Sequence, residues 1–477
     1  MNNNPNMKLK TIILSMMLSG TSLLAGAQNV LPLSLDQCIR IALNENPTVK
    51  VDSMEIERVD YAKKEVLGRL LPEVNFSAQY TRNLALQTIY IDAGAFGGGG
   101  STTPTDDTGD DITGSAAGQA SKKASGGQGM KMGRDNSHQA GFSATVPLIV
   151  PSLWKTIKLN NNQILQTLEA ARANKIALVN QVKNAYYTLL LAQHTKGVIE
   201  ASHATAQQHA TIYQKQYELG TASEYDVLRA NVAVTNLEPS ILEAENSIKQ
   251  LKLQLQLLMG MDVRQDFTPT ETLDQYKSQM YGRYLSTDTS LVKNTNLKSL
   301  DLQTDYLNKV VEVQKAAWYP TLTGSANYMW SAMSNGSPFK DLKFNPMSSV
   351  GLTLTFPIFT GLQRVNKIKQ AEIQAREMKW QRENLERSLH MQVQSQMDNI
   401  NKSIKQIESN EGGVRQAEKA NDIMQKSFQI GAASFIQLRD TDDALMTARL
   451  SYYQSIYDYL VAESDLENVL GNTPYVN

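Results

Sequence analysis

The sequence runs to 477 residues, 41% hydrophobic and 19% charged, which excludes a chain disordered throughout and leaves room for two or three ordinary domains. A formal net charge of -1 carries no basic bias toward nucleic acid and no strongly acidic character. The single cysteine, Cys38, excludes an intramolecular disulfide and reads as a small apolar residue on a short helix.

The chain opens with Lys8 and Lys10 ahead of the apolar run 11–24, which ends in Ala25-Gly26-Ala27. A basic start, an apolar stretch and a small-residue site predict a cleaved secretory signal over residues 1–27. A membrane anchor is the alternative, but the run falls short of the roughly 20 residues that span a bilayer. No later segment is a long uncharged apolar run, and the mean hydropathy is -0.35. No transmembrane helix is expected.

The rest is written twice. Leu71-Pro72-Glu73-Val74-Asn75-Phe76-Ser77-Ala78-Gln79-Tyr80 returns as Tyr319-Pro320-Thr321-Leu322-Thr323-Gly324-Ser325-Ala326-Asn327-Tyr328, at an offset of 248. Three later blocks return at offsets of 210 or 211: Thr145-Val146-Pro147-Leu148 as Thr355-Phe356-Pro357-Ile358, residues 217–220 as 428–431, and Leu258-Met259-Gly260 as Val469-Leu470-Gly471. The chain therefore divides into a first repeat at 28–261, an inter-repeat equatorial segment at 262–289 and a second repeat at 290–477. The difference in offset places about 38 extra residues in the first repeat. They fall in the Gly- and Ser-rich stretch 84–136, which reads as a long loop; its counterpart, 331–347, is shorter and carries the turn signal Asn335-Gly336-Ser337-Pro338.

Each repeat supplies two strictly alternating segments, near 74–82 and 137–148 and near 321–330 and 348–358. In the first, Val74, Phe76, Ala78 and Tyr80 oppose Asn75, Ser77, Gln79 and Thr81; in the fourth, Val350, Leu352, Leu354, Phe356 and Ile358 oppose Gly351, Thr353, Thr355 and Pro357. About nine to eleven residues is what a tilted strand needs to cross a bilayer. A soluble half-buried sheet has the same pattern. Tyr80, Tyr328 and Trp330, placed at strand ends as an aromatic girdle would be, together with the long loop and the export signal, favour a membrane barrel. Four strands cannot close one, since bacterial barrels start at about eight, so several chains must share it.

After each strand pair comes a stretch almost free of helix breakers. Helices are expected over 153–219 and 223–258, then 362–430 and 434–470, with apolar residues recurring at coiled-coil spacing, as at Leu385, Leu389, Val393, Met397, Ile400, Ile404 and Ile407. Stretches of 65 to 70 residues would reach about 100 Å. Both long helices end in one repeated turn, with Gly220 and Gly431 suited to a left-handed cap. Ser434 with Gln437 fits a capping box, and Ser223 with Asp226 is a looser version.

At Leu33-Ser34-Leu35-Asp36, Ala42-Leu43-Asn44-Glu45-Asn46-Pro47, the strand ends Val146-Pro147 and Phe356-Pro357, and the duplicated Gly-x-x-Ser tips at Gly220 and Gly431, the chain resembles the TolC-like outer membrane factor family. The resemblance implies a mixed α and β membrane protein in the bacterial outer membrane. It implies a homotrimer with a twelve-stranded outer membrane β-barrel, four strands per chain, and a coiled-coil α-helical periplasmic barrel. It implies a role as exit duct of a tripartite efflux pump, with tips docking on a periplasmic adaptor (membrane fusion) protein tied to an inner membrane pump. In that family acidic residues after the second tip ring the closed entrance. The matching positions here are Gln437 and Asp440, so one ring is uncharged, and Asp443 lies one turn further on. Asp226 matches the first-repeat gate aspartate and is equally a capping residue. The family's gate tyrosine and arginine match Phe428 and Ala433, which removes the usual hydrogen-bonded latch. Gly220, Ser223, Gly431 and Ser434 mark the adaptor-docking tips.

Nothing in the sequence announces chemistry. The histidines at 138, 194, 203, 209 and 390 form no HExxH motif, and His203 and His209 read as helix-surface residues. No Walker loop, dinucleotide-binding glycine motif or nucleophile elbow is present, so no enzyme, cofactor, metal or nucleic acid is expected and transport energy must come from a partner. Asp106-Asp107 and Asp110-Asp111 lack EF-hand spacing and read as solvated. An outer membrane component of a type I protein secretion system, a passive porin and a structural periplasmic coiled coil are the competing readings.

Overall fold

The computed structural model describes residues 30–90, 129–277, 280, 289–340 and 342–476. The signal at 1–27, Asp106-Asp107, Asp110-Asp111 and parts of the 84–136 and 262–289 segments lie outside them. In chain order the elements are β1 (Leu31–Leu33), α1 (Leu35–Glu45), α2 (Pro47–Gly68), β2 (Glu73–Arg82), β3 (Gln87–Tyr90), β4 (Gly129–Met132), β5 (Asn136–Ile149), α3 (Pro151–Glu218) and α4 (Glu224–Met259). There follow β6 (Phe267–Pro269), α5 (Leu273–Lys277), α6 (Thr295–Ala316), β7 (Thr321–Ser334), β8 (Asn345–Thr355), α7 (Gln363–Gln429) and α8 (Phe435–Leu470). They fall into two compact units: residues up to Ala62 with Leu159–Val311 and Lys369 onward, and Lys63–Lys158 with Glu312–Ile368. Each unit draws on both repeats.

The second unit holds an antiparallel sheet in the order β2-β5-β7-β8. Its register gathers the alternating residues into rows. Val74, Ala144, Ala326 and Val350 face one another across all four strands, as do Phe76, Phe142, Tyr328 and Ser348. The next row on the other side is Asn75, Ser143, Asn327 and Ser349. From the Val74 row to the Tyr80 row the first face is apolar except at Ser348 and His138, with Phe76 and Phe142 rings 5.0 Å apart and Tyr328 and Trp330 4.7 Å apart. Yet Phe76 is 59%, Leu352 71% and Val350 87% exposed. An apolar face left open is not that of a half-buried soluble sheet.

The ends depart from the sequence expectation. β8 starts at Asn345 and stops at Thr355, so Phe356 and Ile358 lie beyond it; Pro357 has no N–H with which to prolong the ladder. β7 runs on to Ser334, which puts Tyr328 and Trp330 inside the strand rather than at its end. The 84–136 stretch is not loop from its first residue, since β3 and β4 pair antiparallel within it. At the end of the sheet where β2 meets β5, Tyr80 donates to Asn136 Oδ1 at 2.8 Å and fully buried Asn136 donates to the Gly336 carbonyl at 3.1 Å. His138 donates from Nε2 to the Pro338 carbonyl at 2.6 Å. These bonds fasten the turn 335–338.

In the first unit, β1 pairs in parallel with β6, and the core gathers Cys38 and Ile39 of α1, Val182, Tyr186 and Leu189 of α3, Leu255 and Met259 of α4, Phe267, and Ile456 and Tyr459 of α8. Burial, with the Glu271 carboxylate nearby, pushes the Cys38 thiol up to about 12. That thiol is inert packing.

The repeat is also a joint. α2 and α6 stand at the same 248-residue offset as the strands that follow them. Before each stands an asparagine. Asn46 Oδ1 accepts from the Thr48 N–H at 2.8 Å while its Nδ2 donates to the Leu258 carbonyl at 2.8 Å. Asn294 Oδ1 accepts from the Leu297 N–H at 2.8 Å while its Nδ2 donates to the Val469 carbonyl at 2.5 Å. Each side chain thus starts one helix and ends another. The returning helices end on Gly260 (φ 68°) and Gly471 (φ 66°), where a Cβ would lie 2.7 Å from the Glu45 carbonyl oxygen and 2.2 Å from that of Lys293. Only glycine fits there.

Candidate functional site

The candidate site is the pair of helical tips at 219–223 and 430–434. Gly220 (φ 74°) and Gly431 (φ 76°) close α3 and α7 with the same paired bonds. Thr221 N–H donates to the Gln216 carbonyl at 2.8 Å and Gly220 N–H to Tyr217 at 2.9 Å. Ala432 N–H donates to Ser427 at 2.8 Å and Gly431 N–H to Phe428 at 3.0 Å. Both are Schellman caps. A Cβ on either glycine would meet nothing within 4 Å, so the backbone alone demands glycine there. Leu219 and Ile430, just before them, are 79% and 81% exposed.

Ser223 and Ser434 then start α4 and α8 with reciprocal capping boxes. The Asp226 carboxylate accepts from Ser223 N–H at 3.2 Å and Oγ at 2.6 Å. Gln437 Oε1 accepts from Ser434 N–H at 2.9 Å and Oγ at 3.1 Å. Both side chains are therefore engaged in holding the tip.

Between the hairpins lies a small core of Ala210, Tyr213, Val227, Ala230, Val234 and Phe435, with Phe428 and Ala222 packed against it. Tyr213 stands 5.0 Å from Phe435 and 5.7 Å from Phe428, ring centre to ring centre. Phe428 has no hydroxyl, and its contribution here is apolar area. The polar tie is elsewhere. Asp442 on α8 accepts from Asn421 Nδ2 of α7 at 2.6 Å and pairs with His209 Nε2 of α3 at 3.1 Å. A carboxylate only accepts, so Nε2 carries the hydrogen.

His209 is thus not on the helix surface, as the sequence reading had it, but 8% exposed. The face of α3 that carries Ala210 and Tyr213 turns toward the second hairpin and takes His209 with it. Asp442 was missed as well. Phe435, Leu438 and Asp442 follow at steps of three and four, so Asp442 falls on the buried stripe of α8. An acid at such a position was the available signal.

Asp440 and Asp443 lie off that stripe and are exposed. Arg439 Nε approaches Asp443 at 3.7 Å. Partial burial raises Asp443 above the ordinary carboxylate range, with Asp442 and Asp440 adding to it and Arg439 opposing it. With 61% of that side chain open to water, screening limits what the shift is worth. Among the described residues no three His, Cys, Asp or Glu side chains gather closely enough to hold a metal ion, and no helix is long and apolar enough to cross a membrane.

Comparison with known proteins follows the same outline. A family profile described as "Outer membrane efflux protein" matches residues 111–261 and 287–472, most of both repeats. The outer membrane protein TolC of Escherichia coli (strain K12) is 20% identical over 479 residues, covering 97% of this chain and 86% of its own. The alkaline protease secretion protein AprF of Pseudomonas aeruginosa is 23% identical over 354 residues, covering 71% of this chain and 73% of its own. Among solved structures, CusC superposes with a TM-score of 0.71 at 16% identity, covering 95% of this chain and 96% of that one. At that identity the likeness speaks for the fold alone.

Proposed function

We propose, for a chain that belongs to the outer membrane efflux protein family, that three copies form the exit duct of a tripartite efflux pump. The protein is an outer membrane channel that passes material outward. The observation that carries the reading is the four-stranded sheet with one open, mainly apolar face and two edges, β2 and β8, that pair with no other strand among the described residues. Lipid is the medium that accepts such a face, and it forbids open edges. Three copies joined β2 to β8 supply twelve strands and no edge. The coiled helices form the periplasmic tunnel, and no energy-coupling motif accompanies them. Work is done by an inner membrane pump, reached through a periplasmic adaptor that docks on the tips at Gly220, Ser223, Gly431 and Ser434.

Threefold repetition turns Asp440 into a ring of three carboxylates at the entrance, with Gln437 forming an uncharged ring beside it and Asp443 a second acidic one. Close carboxylates in a narrow, poorly screened constriction attract cations. Asp226, committed to its capping box, contributes through the shape of the first tip.

The test uses a photo-crosslinking residue at Leu219 or Ile430 in cells, with dye accumulation measured in a strain lacking the chain. Capture of an efflux adaptor and dye retention in the deletion strain are expected. Capture of a protein-secretion adaptor, with unchanged dye content, would assign the duct to protein export, the use that AprF's name gives for that relative.

A further inference from the structure

The four strands of the sheet run into helices at one end only, and the residues just past that end stand at headgroup depth once the sheet lies in lipid. Large apolar side chains gather there in the open. Trp154 on the first turn of α3, Trp318 and Tyr319 between α6 and β7, and Phe359 and Leu362 between β8 and α7 are all exposed. Cations follow them on the side away from the sheet: Lys158 one helical turn beyond Trp154, and Arg364 and Lys367 on the first turns of α7. The two repeats coincide at this level, since Arg364 holds the place of Trp154 at the 210-residue offset.

The charge at this level is one-sided. Residues 63–73, 150–158, 312–320 and 356–368 carry eight Lys and Arg against three Glu. Two of those acids are already matched, Glu65 by Arg69 at 2.9 Å and Glu312 by Lys155 at 2.7 Å. Lys158, Arg364 and Lys367 meet no carboxylate among the described residues. Arg364 is half-buried, and its Nη1 is shut from water without an acceptor. A guanidinium so placed gives up hydration and calls for an anion. Closing the barrel does not remove the excess, because every copy brings the same eight cations and three acids to the rim.

We propose that this rim binds an anionic glycerophospholipid of the leaflet on the helix side, with the phosphodiester against Arg364 and Lys367 and the acyl chains along Phe356, Ile358 and Phe359. This goes beyond the exit-duct role and rests on the barrel reading. Phe356 and Ile358 continue the alternation of Val350, Leu352 and Leu354 and are exposed like them, so the apolar face of β8 runs on toward the cations. Apolar face, aromatic belt and cation follow one another in the order in which a phospholipid presents its chains, its glycerol and its phosphate. Arginine supplies a planar fork of donors matched to phosphate, and lysine adds a point charge beside it. A zwitterionic lipid carries the same phosphate with its own ammonium, so the rim selects for net negative charge.

The test is native mass spectrometry of the purified full-length assembly, titrated with phosphatidylglycerol or phosphatidylcholine in detergent micelles, with trimer yield measured alongside. Wild type is expected to prefer phosphatidylglycerol about twentyfold, two cations at about fivefold each. Lys367→Gln, a change at an exposed position, is expected to cut the preference about fivefold, and Arg364→Gln with Lys367→Gln to abolish it. Lys343→Gln, at the far end of the sheet, is expected to leave it unchanged. Equal retention of both lipids by wild type, or a preference that survives in the double variant, overturns the site. An equal loss from Lys343→Gln overturns it too, by making the effect one of net charge, and so does full displacement by inorganic phosphate, which makes the ligand a free anion. A trimer yield that falls alike in Glu73→Gln and Arg364→Gln, with no lipid preference in Lys367→Gln or wild type, would give the arginine to the edge strand of the next copy instead. A chain recovered only as soluble monomer would defeat the barrel reading itself.

Discussion

Replacing Gly471 by alanine puts a methyl carbon 2.2 Å from the Lys293 carbonyl oxygen, and the same change at Gly260 puts one 2.7 Å from that of Glu45. Replacing Gly220 or Gly431 puts it in open space, although all four residues hold φ between 66° and 76°. The conformational penalty is common to the four, about 1–2 kcal/mol for a side chain in the left-handed region. A narrower unfolded ensemble returns about 0.4–1 kcal/mol of it. The tips should therefore lose about 1 kcal/mol or less. At the junctions the clash is with backbone, so the helix end must retreat and take with it the asparagine bond to the Leu258 or Val469 carbonyl. A buried group stripped of its partner costs about 1–3 kcal/mol more. The junction variants should thus lose about 2–4 kcal/mol. Urea unfolding of the detergent-solubilised protein, followed by far-ultraviolet circular dichroism, should move the midpoint on the order of 1 M for Gly471→Ala and much less for Gly431→Ala. Equal shifts at all four glycines, or a larger shift at the tips, would refute the joint.

On the sheet, Leu352→Arg faces the apolar side and should cost about 2–4 kcal/mol in a bilayer, whereas Ser349→Arg on the other face should be tolerated; the amount of assembled protein in outer membranes separates them. Asp440→Asn removes the proposed acidic ring, and block of single-channel current by a polyvalent cation should weaken about tenfold; unchanged block removes the ring. His194 is held below the usual histidine range by burial, against an opposing pull from Asp274, and its Nε2 accepts from the Leu273 N–H. The folded chain therefore keeps the ring neutral while the unfolded chain takes up a proton as pH falls through about 6.5, so stability present above that value is lost below it. His194→Gln should flatten this loss in urea midpoints measured from neutral pH downward; an unchanged slope would place its origin elsewhere.

The architecture was legible in the sequence because duplication and period-two alternation are backbone-scale signals. Val74, Phe76 and Val350 announce a two-faced strand before any neighbour is known. What escaped is what depends on which faces meet. α2 and α6 stand at the repeat's own offset, but of their apolar residues only Val59 and Val66, and Leu297, Val311 and Ala316, are buried, while Val51, Met54, Tyr61 and Leu67 are exposed. The Asn46 and Asn294 joints rest on partners 212 and 175 residues away. Asp442 hid between Asp440 and Asp443, and only its place on the Phe435 and Leu438 stripe sets it apart. His209 looked like a surface residue because one helix read alone does not show which hairpin it will face.

The account turns on copies of this chain closing one barrel edge to edge. In a Cys38→Ala background, cysteines scanned along 73–82 of β2 and 345–355 of β8 should give oxidative crosslinks in isolated outer membranes, in a ladder that ends at three chains. Chains that stay single at every pair of positions, or that leave the membrane with the soluble periplasmic fraction, would contradict it.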